Sequence, residues 1–295
     1  MDFLIFALVF GPLWLLTWLP LPALYLFSDF IAFLMWYIIP YRKKMVVKNM
    51  TLSFPDKNKT EIKKLTRRNI HHFCDSFIES LAALHMPEKE LKKRYQFKHL
   101  DLLEKLFSSD RDILLMMGHY GNWEWLNLLP AYTSHDILAV YKPLNNKYFD
   151  KLFIRLRSKY GVIPVSRQNT LRTMAQYQRE GKKFMLYSLA DQRPRWVQIQ
   201  HWLTFMNQDT PVVLGPEKIA RKYNMTVVFY KVKRVCRGHY ENEFMLLESN
   251  AQTTISPQIT EKYYQMLEQH ITDQPEYYLW THNRWKHKKD GSHIK

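Results

Sequence analysis

The first 41 residues contain no lysine or arginine and only two acids, Asp2 and Asp29. Phe3 to Pro20 reads FLIFALVFGPLWLLTWLP without a charge, and apolar character resumes from Leu21 to Tyr41 around Ser28-Asp29. About 20 apolar residues span a bilayer, so residues 1–41 predict a membrane anchor. It has room for one transmembrane helix and a second embedded or interfacial one. Pro12, Pro20 and Pro22 argue against one straight rod, because proline removes a backbone donor and clashes with the preceding turn. A secretory signal peptide is the rival reading. The chain opens Met-Asp-Phe rather than with a basic region, and no clean small-residue cleavage site follows. Arg42, Lys43, Lys44 and Lys48 come directly after the apolar stretch, which by the positive-inside rule places the rest of the chain in the cytoplasm.

Residues 42–295 hold all 43 Lys and Arg and 25 of the 27 acids, so this body carries a net charge of +18 within the +16 of the whole chain. An apolar head on a basic body points to anionic partners: lipid phosphates, an acidic carrier protein or nucleic acid. The two cysteines, Cys74 and Cys236, are too far apart for a CxxC motif and too few for a disulfide scaffold. They suit a reducing compartment. Only eight glycines and no internal repeat exclude collagen-like and solenoid architectures.

Within the body, Lys57 to Leu84 reads as a helix capped by Asn58 or Thr60, with Leu65, Ile70, Phe73, Phe77, Ile78 and Leu81 at an approximate 3.6 period. Strands and helices then alternate. Ile113 to Met117 (ILLMM) is a continuous apolar run, typical of a strand buried on both faces. Further strands are expected at Ile137–Tyr141, Lys183–Leu189, Thr226–Val232 and Glu243–Leu247. Helical stretches are expected from about Asn122 and at Phe149–Lys159, Thr170–Arg179, Pro216–Tyr223 and Pro257–His270. This alternation predicts an α/β fold with a mostly parallel sheet flanked by helices. In such sheets chemistry gathers at the carboxyl ends of the strands.

The ILLMM strand runs into Gly118-His119-Tyr120-Gly121-Asn122-Trp123-Glu124. A histidine with a glutamate five residues on also occurs at His85/Glu90 and His99/Glu104, so the spacing alone is a poor signal. Only His119 leaves a buried-type strand between two glycines, which let the chain turn sharply and approach a ligand. With His119 in the turn and Glu124 one turn inside the following helix, the carboxylate is expected to hold one ring nitrogen. The other nitrogen would then take a proton from a hydroxyl. A buried histidine satisfied by a nearby acid would use the same residues without chemistry.

The GHYGNWEW stretch resembles the His-four-residues-acid motif of the glycerolipid acyltransferase superfamily, and within it the lipid A late (secondary) acyltransferases of the lysophospholipid acyltransferase branch. The likeness extends in order through YRKKMVVKNMTLSFPD, YKPLNNKYFDKLFIRLRSKYG, LADQRP, FMNQDTPVVLGPEKIARKYN and PEYYLWTHNRWK. The resemblance implies a membrane enzyme that moves a fatty acyl chain from a thioester, usually on acyl carrier protein, to a hydroxyl of a lipid A precursor. It implies His119 as base, Glu124 as its partner, and Arg155 and Asp191 as substrate-binding or transition-state residues. The family's tyrosine-arginine-proline stands here as Tyr141-Lys142-Pro143, which keeps the charge and loses the forked donor.

Acyl transfer needs a base for the attacking hydroxyl and donors for the oxyanion, and the mechanism requires neither metal nor cofactor. His71-His72-x-Cys74-Asp75 has ligand-type residues, but on an amphipathic helical pattern. Arg155 and Arg157 lie two apart, so on a helix at most one faces the site. Aromatic and basic residues interleave at 92–95 and 285–289, which suits headgroups and an acidic carrier. The expected partners are therefore acyl carrier protein, the lipid acceptor and the phospholipid bilayer. The expected setting is the bacterial inner membrane with the body facing the cytoplasm, with no nucleic acid and monomer as the default. The alternatives are acylation of another lipid (an aminolipid, glycolipid or lysophospholipid), a membrane-tethered basic binding protein without catalysis, and a hydrolase, for which no GxSxG elbow is present.

Overall fold

The computed structural model describes residues 2–109 and 111–291. The chain begins with α1 (Asp2–Leu16), α2 (Leu21–Tyr37), α3 (Lys43–Ser53), α4 (Lys59–Ala82) and α5 (Glu88–Arg94). There follow β1 (Tyr95–Lys98), α6 (Leu100–Phe107), β2 (Ile113–Met117), a 3-10 helix (Trp123–Tyr132), β3 (Asp136–Tyr141), α7 (Lys147–Ser158) and β4 (Ile163–Ser166). Next come α8 (Thr170–Arg179), β5 (Phe184–Leu189), β6 (His201–Phe205), β7 (Gln208–Val212), α9 (Gly215–Lys222), β8 (Thr226–Cys236), β9 (His239–Glu248) and α10 (Gln258–Asp273).

Seven strands form one sheet in the order β1-β9-β8-β2-β5-β3-β4. Every neighbouring pair is parallel except β8 with β9, so the expected mostly parallel α/β sheet is present. Central β2 is buried along its whole length, as its unbroken apolar run requires of a strand covered on both faces. The register pairs Met117 of β2 with Leu189 of β5, so these two strands end at the same level.

Asn58 caps α4 through a complete capping box with Glu61, and the helix packs its inner face on the core. Three features of the strands escaped the sequence reading. β1 and β4 are four residues each, too short to show a periodicity. The β6–β7 hairpin turns on Met206 and Asn207, both at positive φ (52° and 58°), as a tight hairpin turn demands.

The expected transmembrane helix is corrected. No helix among the described residues is long and apolar enough to cross a membrane. The apolar run is divided between Thr17 and Pro20, where Pro20 caps α2. The 15 residues of α1 reach about 22 Å at 1.5 Å per residue, short of a hydrocarbon core of about 30 Å. Instead α1 lies along α7, with Phe6 against Tyr148 and Phe149 and the Asn146 amide donating to the Asp2 carbonyl. Helix α2 packs on α4 through Leu24, Tyr25, Ser28 and Ala32, so its inner face belongs to the body. The outward faces of both remain apolar: Leu4, Leu8 and Leu15 on α1, and Leu26, Phe30 and Phe33 on α2, are exposed.

Candidate active site

His119 and Asp191 each stand two residues beyond the paired ends of β2 and β5, so the strand register alone brings them together. The Asp191 carboxylate engages residue 119 twice. One oxygen lies 2.6 Å from Nδ1 and the other accepts the His119 backbone N–H at 3.0 Å. A carboxylate only accepts, so Nδ1 carries the proton and Nε2 keeps its lone pair. That lone pair meets the side-chain amide of Gln192 at 3.1 Å, with the amide donating. Burial alone pushes the Asp191 carboxyl up; the electrostatic attraction of the adjoining His119 and the hydrogen bonds from its ring and backbone outweigh it and hold the group below its ordinary value. Asp191 is therefore ionised and almost wholly buried, whereas the imidazole keeps 15% of its surface open to solvent.

The scaffold around the pair is over-determined. Consecutive tyrosines of α10 donate to carbonyls at the ends of the two strands, Tyr263 to Met117 of β2 at 2.8 Å and Tyr264 to Ala190, one residue past β5, at 2.9 Å. Buried Arg284 donates in turn to the Tyr264 hydroxyl and to the Pro211 carbonyl. The segment PEYYLW runs against the turn, with Leu279 N–H donating to the His119 carbonyl and Gly121 N–H to the Tyr277 carbonyl. Nearby His282 is pushed down to about 4 by burial and is neutral at physiological pH. The Trp123 ring stands edge-on to the imidazole at 5.1 Å.

The two glycines of the motif act differently. Gly121 sits at φ +60, and a Cβ there would lie 2.6 Å from Val232 Cγ1. Gly118 has ordinary φ but leaves room for Leu267 of α10, whose Cδ1 would be 2.7 Å from a Cβ. Gly121→Ala therefore combines backbone strain with overpacking. It is expected to destabilise the protein by about 2–4 kcal/mol and to lower Tm by roughly 5–10 °C in calorimetry.

Glu124 is not the acid on His119, contrary to the sequence expectation. Residues 123–132 form a 3-10 helix, and the Glu124 carboxylate is taken by Arg157, Nη2 to Oε1 at 2.8 Å and Nε to Oε2 at 3.3 Å. Both ring nitrogens of His119 are engaged by other groups. Arg155 stands apart from this group. Two residues from Arg157 on α7, it is exposed and its charge is felt by His85, which stacks on Trp18 of the N-terminal segment. Of the arginine pair, Arg157 faces the motif. Lys142 is exposed after β3. Asp191 was legible from its place at the end of an apolar strand; Gln192 beside it was not, since an amide carries no periodic or charge signal.

The ligand-type run on α4 does not converge as a set. His72 turns to Ser76 and Arg234, and Cys74 packs on Met35. His71 and Asp75 do meet Asp29 of α2. Their cation is the Arg237 guanidinium, which donates to both Asp29 and Asp75, the latter at 2.6 Å.

The arrangement is thus a strand-end imidazole with a fixed tautomer, polarised by a buried carboxylate, just beyond the central strand β2 of a mostly parallel sheet. The family model of bacterial lipid A biosynthesis acyltransferases matches residues 2–287. The chain belongs to that family. Among its relatives is the lipid A biosynthesis palmitoleoyltransferase of Escherichia coli (strain K12), 22% identical over 281 residues that cover 95% of this chain and 90% of the relative. The lipid A biosynthesis lauroyltransferase of the same organism is 23% identical over 287 residues, covering 95% and 91%. A lipid A biosynthesis acyltransferase of Haemophilus influenzae (strain ATCC 51907 / DSM 11121 / KW20 / Rd) is 23% identical over 211 residues, 70% of this chain and 64% of the relative. The protein is an acyltransferase, and its family supports transfer to lipid A.

Proposed function

We propose that the enzyme transfers a fatty acyl chain from an acyl carrier protein thioester to a hydroxyl of a lipid A precursor, with His119 as general base and Asp191 as its orienting carboxylate. The observation that carries this reading is the 2.6 Å contact between Asp191 and Nδ1, which leaves Nε2 as the acceptor. The acceptor hydroxyl displaces the Gln192 amide from Nε2, gives its proton to that nitrogen, and its oxygen attacks the thioester carbonyl carbon. The carbon–sulfur bond then breaks and the leaving thiolate takes the proton back from His119. Asp191 stabilises the imidazolium between the two transfers, and the Glu124–Arg157 pair holds α7 against the motif. No step calls for a metal or cofactor.

The exposed apolar faces of α1 and α2 support a seat on the bilayer surface rather than a span across it. Arg42, Lys43, Lys44 and Lys48 adjoin those faces and are suited to lipid phosphates, with the Lys43 ammonium already lying over the Trp36 ring. In this reading the enzyme works at the cytoplasmic face of the inner membrane, where carrier thioesters reach it from one side and lipid acceptors from the other.

The test supplies purified enzyme with acyl carrier thioester, or with the coenzyme A thioester, and vesicles holding a lipid A precursor that lacks a secondary acyl chain. Mass spectrometry is expected to find the acceptor heavier by one acyl chain, matched by free carrier thiol. Thiol release without acceptor acylation would make the enzyme a thioesterase instead, and turnover only with coenzyme A would remove the carrier protein from the proposal.

A further inference from the structure

Helix α4 presents His72, Ser76 and Glu79 on successive turns toward the segment that follows Gly121. Ser76 and the buried His72 lie against the Gly121 carbonyl, and Glu79 reaches further along the same segment. Its carboxylate is wholly buried, which charged side chains avoid unless their oxygens are satisfied. Three donors satisfy it: the Tyr25 hydroxyl at 2.7 Å on Oε1, and the Tyr240 hydroxyl and the Asn122 amide, each at 2.8 Å, on Oε2. The Trp125 indole donates to its backbone carbonyl.

Asn122 is fixed in orientation by this contact. Its amide nitrogen is spent on Glu79, so its oxygen is left to accept the Trp125 backbone N–H and start the 3-10 helix. The catalytic turn is thereby held at two ends, by Asp191 at residue 119 and by Glu79 at residue 122. An apolar side chain could fill the same volume, but only an acceptor can aim the Asn122 amide. Tyr25 lies on α2, whose opposite face exposes Leu26, Phe30 and Phe33. Two hydrogen bonds therefore connect the apolar-faced helix to the His119 turn.

We propose that Glu79 is a positioning residue for the reaction: it fixes the His119 turn through Asn122 and, through Tyr25, registers that turn against helix α2. The inference rests on the reading of His119 as the base.

Asn122→Asp tests it, because it sets a carboxylate against a carboxylate without changing shape. Two such groups in contact cannot both stay ionised in place, so above the pH at which one of them takes up a proton the turn shifts. A misplacement of this kind is expected to lower kcat about 30-fold with KM for the donor thioester within about twofold. The double variant Glu79→Gln with Asn122→Asp reverses donor and acceptor across the same contact. It is expected to return kcat to within about threefold of the wild type, since the hydrogen bond is remade. Tyr25→Phe, nearly isosteric, is expected to lower kcat about threefold with vesicle binding unchanged. The proposal is overturned if Asn122→Asp keeps wild-type kcat, if the double variant melts like the wild type yet recovers nothing, or if Tyr25→Phe is neutral. His119→Ala runs alongside: an active His119→Ala removes the base itself, whereas an inactive one beside a fully active Asn122→Asp removes only the role of Glu79.

Discussion

His119→Ala and Asp191→Asn are each expected to lower kcat by about three orders of magnitude while leaving the vesicle-bound fraction of enzyme unchanged. The alanine variant removes the group that takes the proton. The asparagine variant is the more instructive, because it changes almost no atom positions. Its carbonyl oxygen still accepts the His119 backbone N–H, so the turn is kept. Its amide, however, donates toward Nδ1 where the carboxylate accepted, and the ring proton is driven to Nε2. The nitrogen that must receive the hydroxyl proton is then already protonated. The loss therefore falls on kcat rather than on KM, and steady-state thioester turnover reads it directly. Glu124→Gln is the control, since its carboxylate touches Arg157 and not the imidazole. If Asp191→Asn stays within tenfold of the wild type while Glu124→Gln does not, the polarising role returns to Glu124.

The sheet was legible in the sequence because its central strands are apolar on both faces and so appear as unbroken runs: ILLMM at 113–117 and FMLY at 184–187. His119 was legible for the same reason, since it leaves such a run between two glycines. Its partner in the structure was not, although Asp191 stands at the end of an apolar run. The link between them is the register of β2 against β5, a pairing across 72 residues that no local spacing encodes. The spacing of five instead favoured Glu124, on the assumption that an α-helix follows the turn. A 3-10 helix has three residues per turn, which redirects every side chain in it. The first 41 residues misled in another way. Hydropathy reports how apolar a segment is, but not whether a body lies alongside to receive one face of it. Ser28 and Asp29 were the signal that α2 has an inner face, and both are bonded to the body, Ser28 to Asp75 and Asp29 to Arg237.

Arg157→Ala is expected to reduce kcat/KM about 30-fold, and Arg155→Ala to change it less than twofold. The two residues share a helix and a charge, and the family resemblance by sequence selected Arg155. Their surroundings differ. The Arg157 guanidinium forks onto both oxygens of Glu124, beside an apolar pocket lined by Leu91, Trp125, Leu128, Phe153 and Leu156. Burial disfavours its charge, but Glu124 more than compensates and raises its pKa above the ordinary value. Its removal leaves a carboxylate unpaired against apolar walls. Deleting one member of a fully buried pair costs about 3–5 kcal/mol. The side chains here are 26% and 22% exposed, so solvent screening reduces this stability cost to roughly 2 kcal/mol; the loss in turnover comes instead from α7 shifting against the motif, where a misplacement of part of an ångström is worth about 30-fold. Arg157→Lys is expected to recover little, because an ammonium cannot meet both oxygens of Glu124 at once. Arg155 has only solvent and the distant charge of His85 to lose. Turnover measured on the three variants separates the positions, and equal losses at 155 and 157 would show that the cation acts through the general field of α7 rather than through its fork on Glu124.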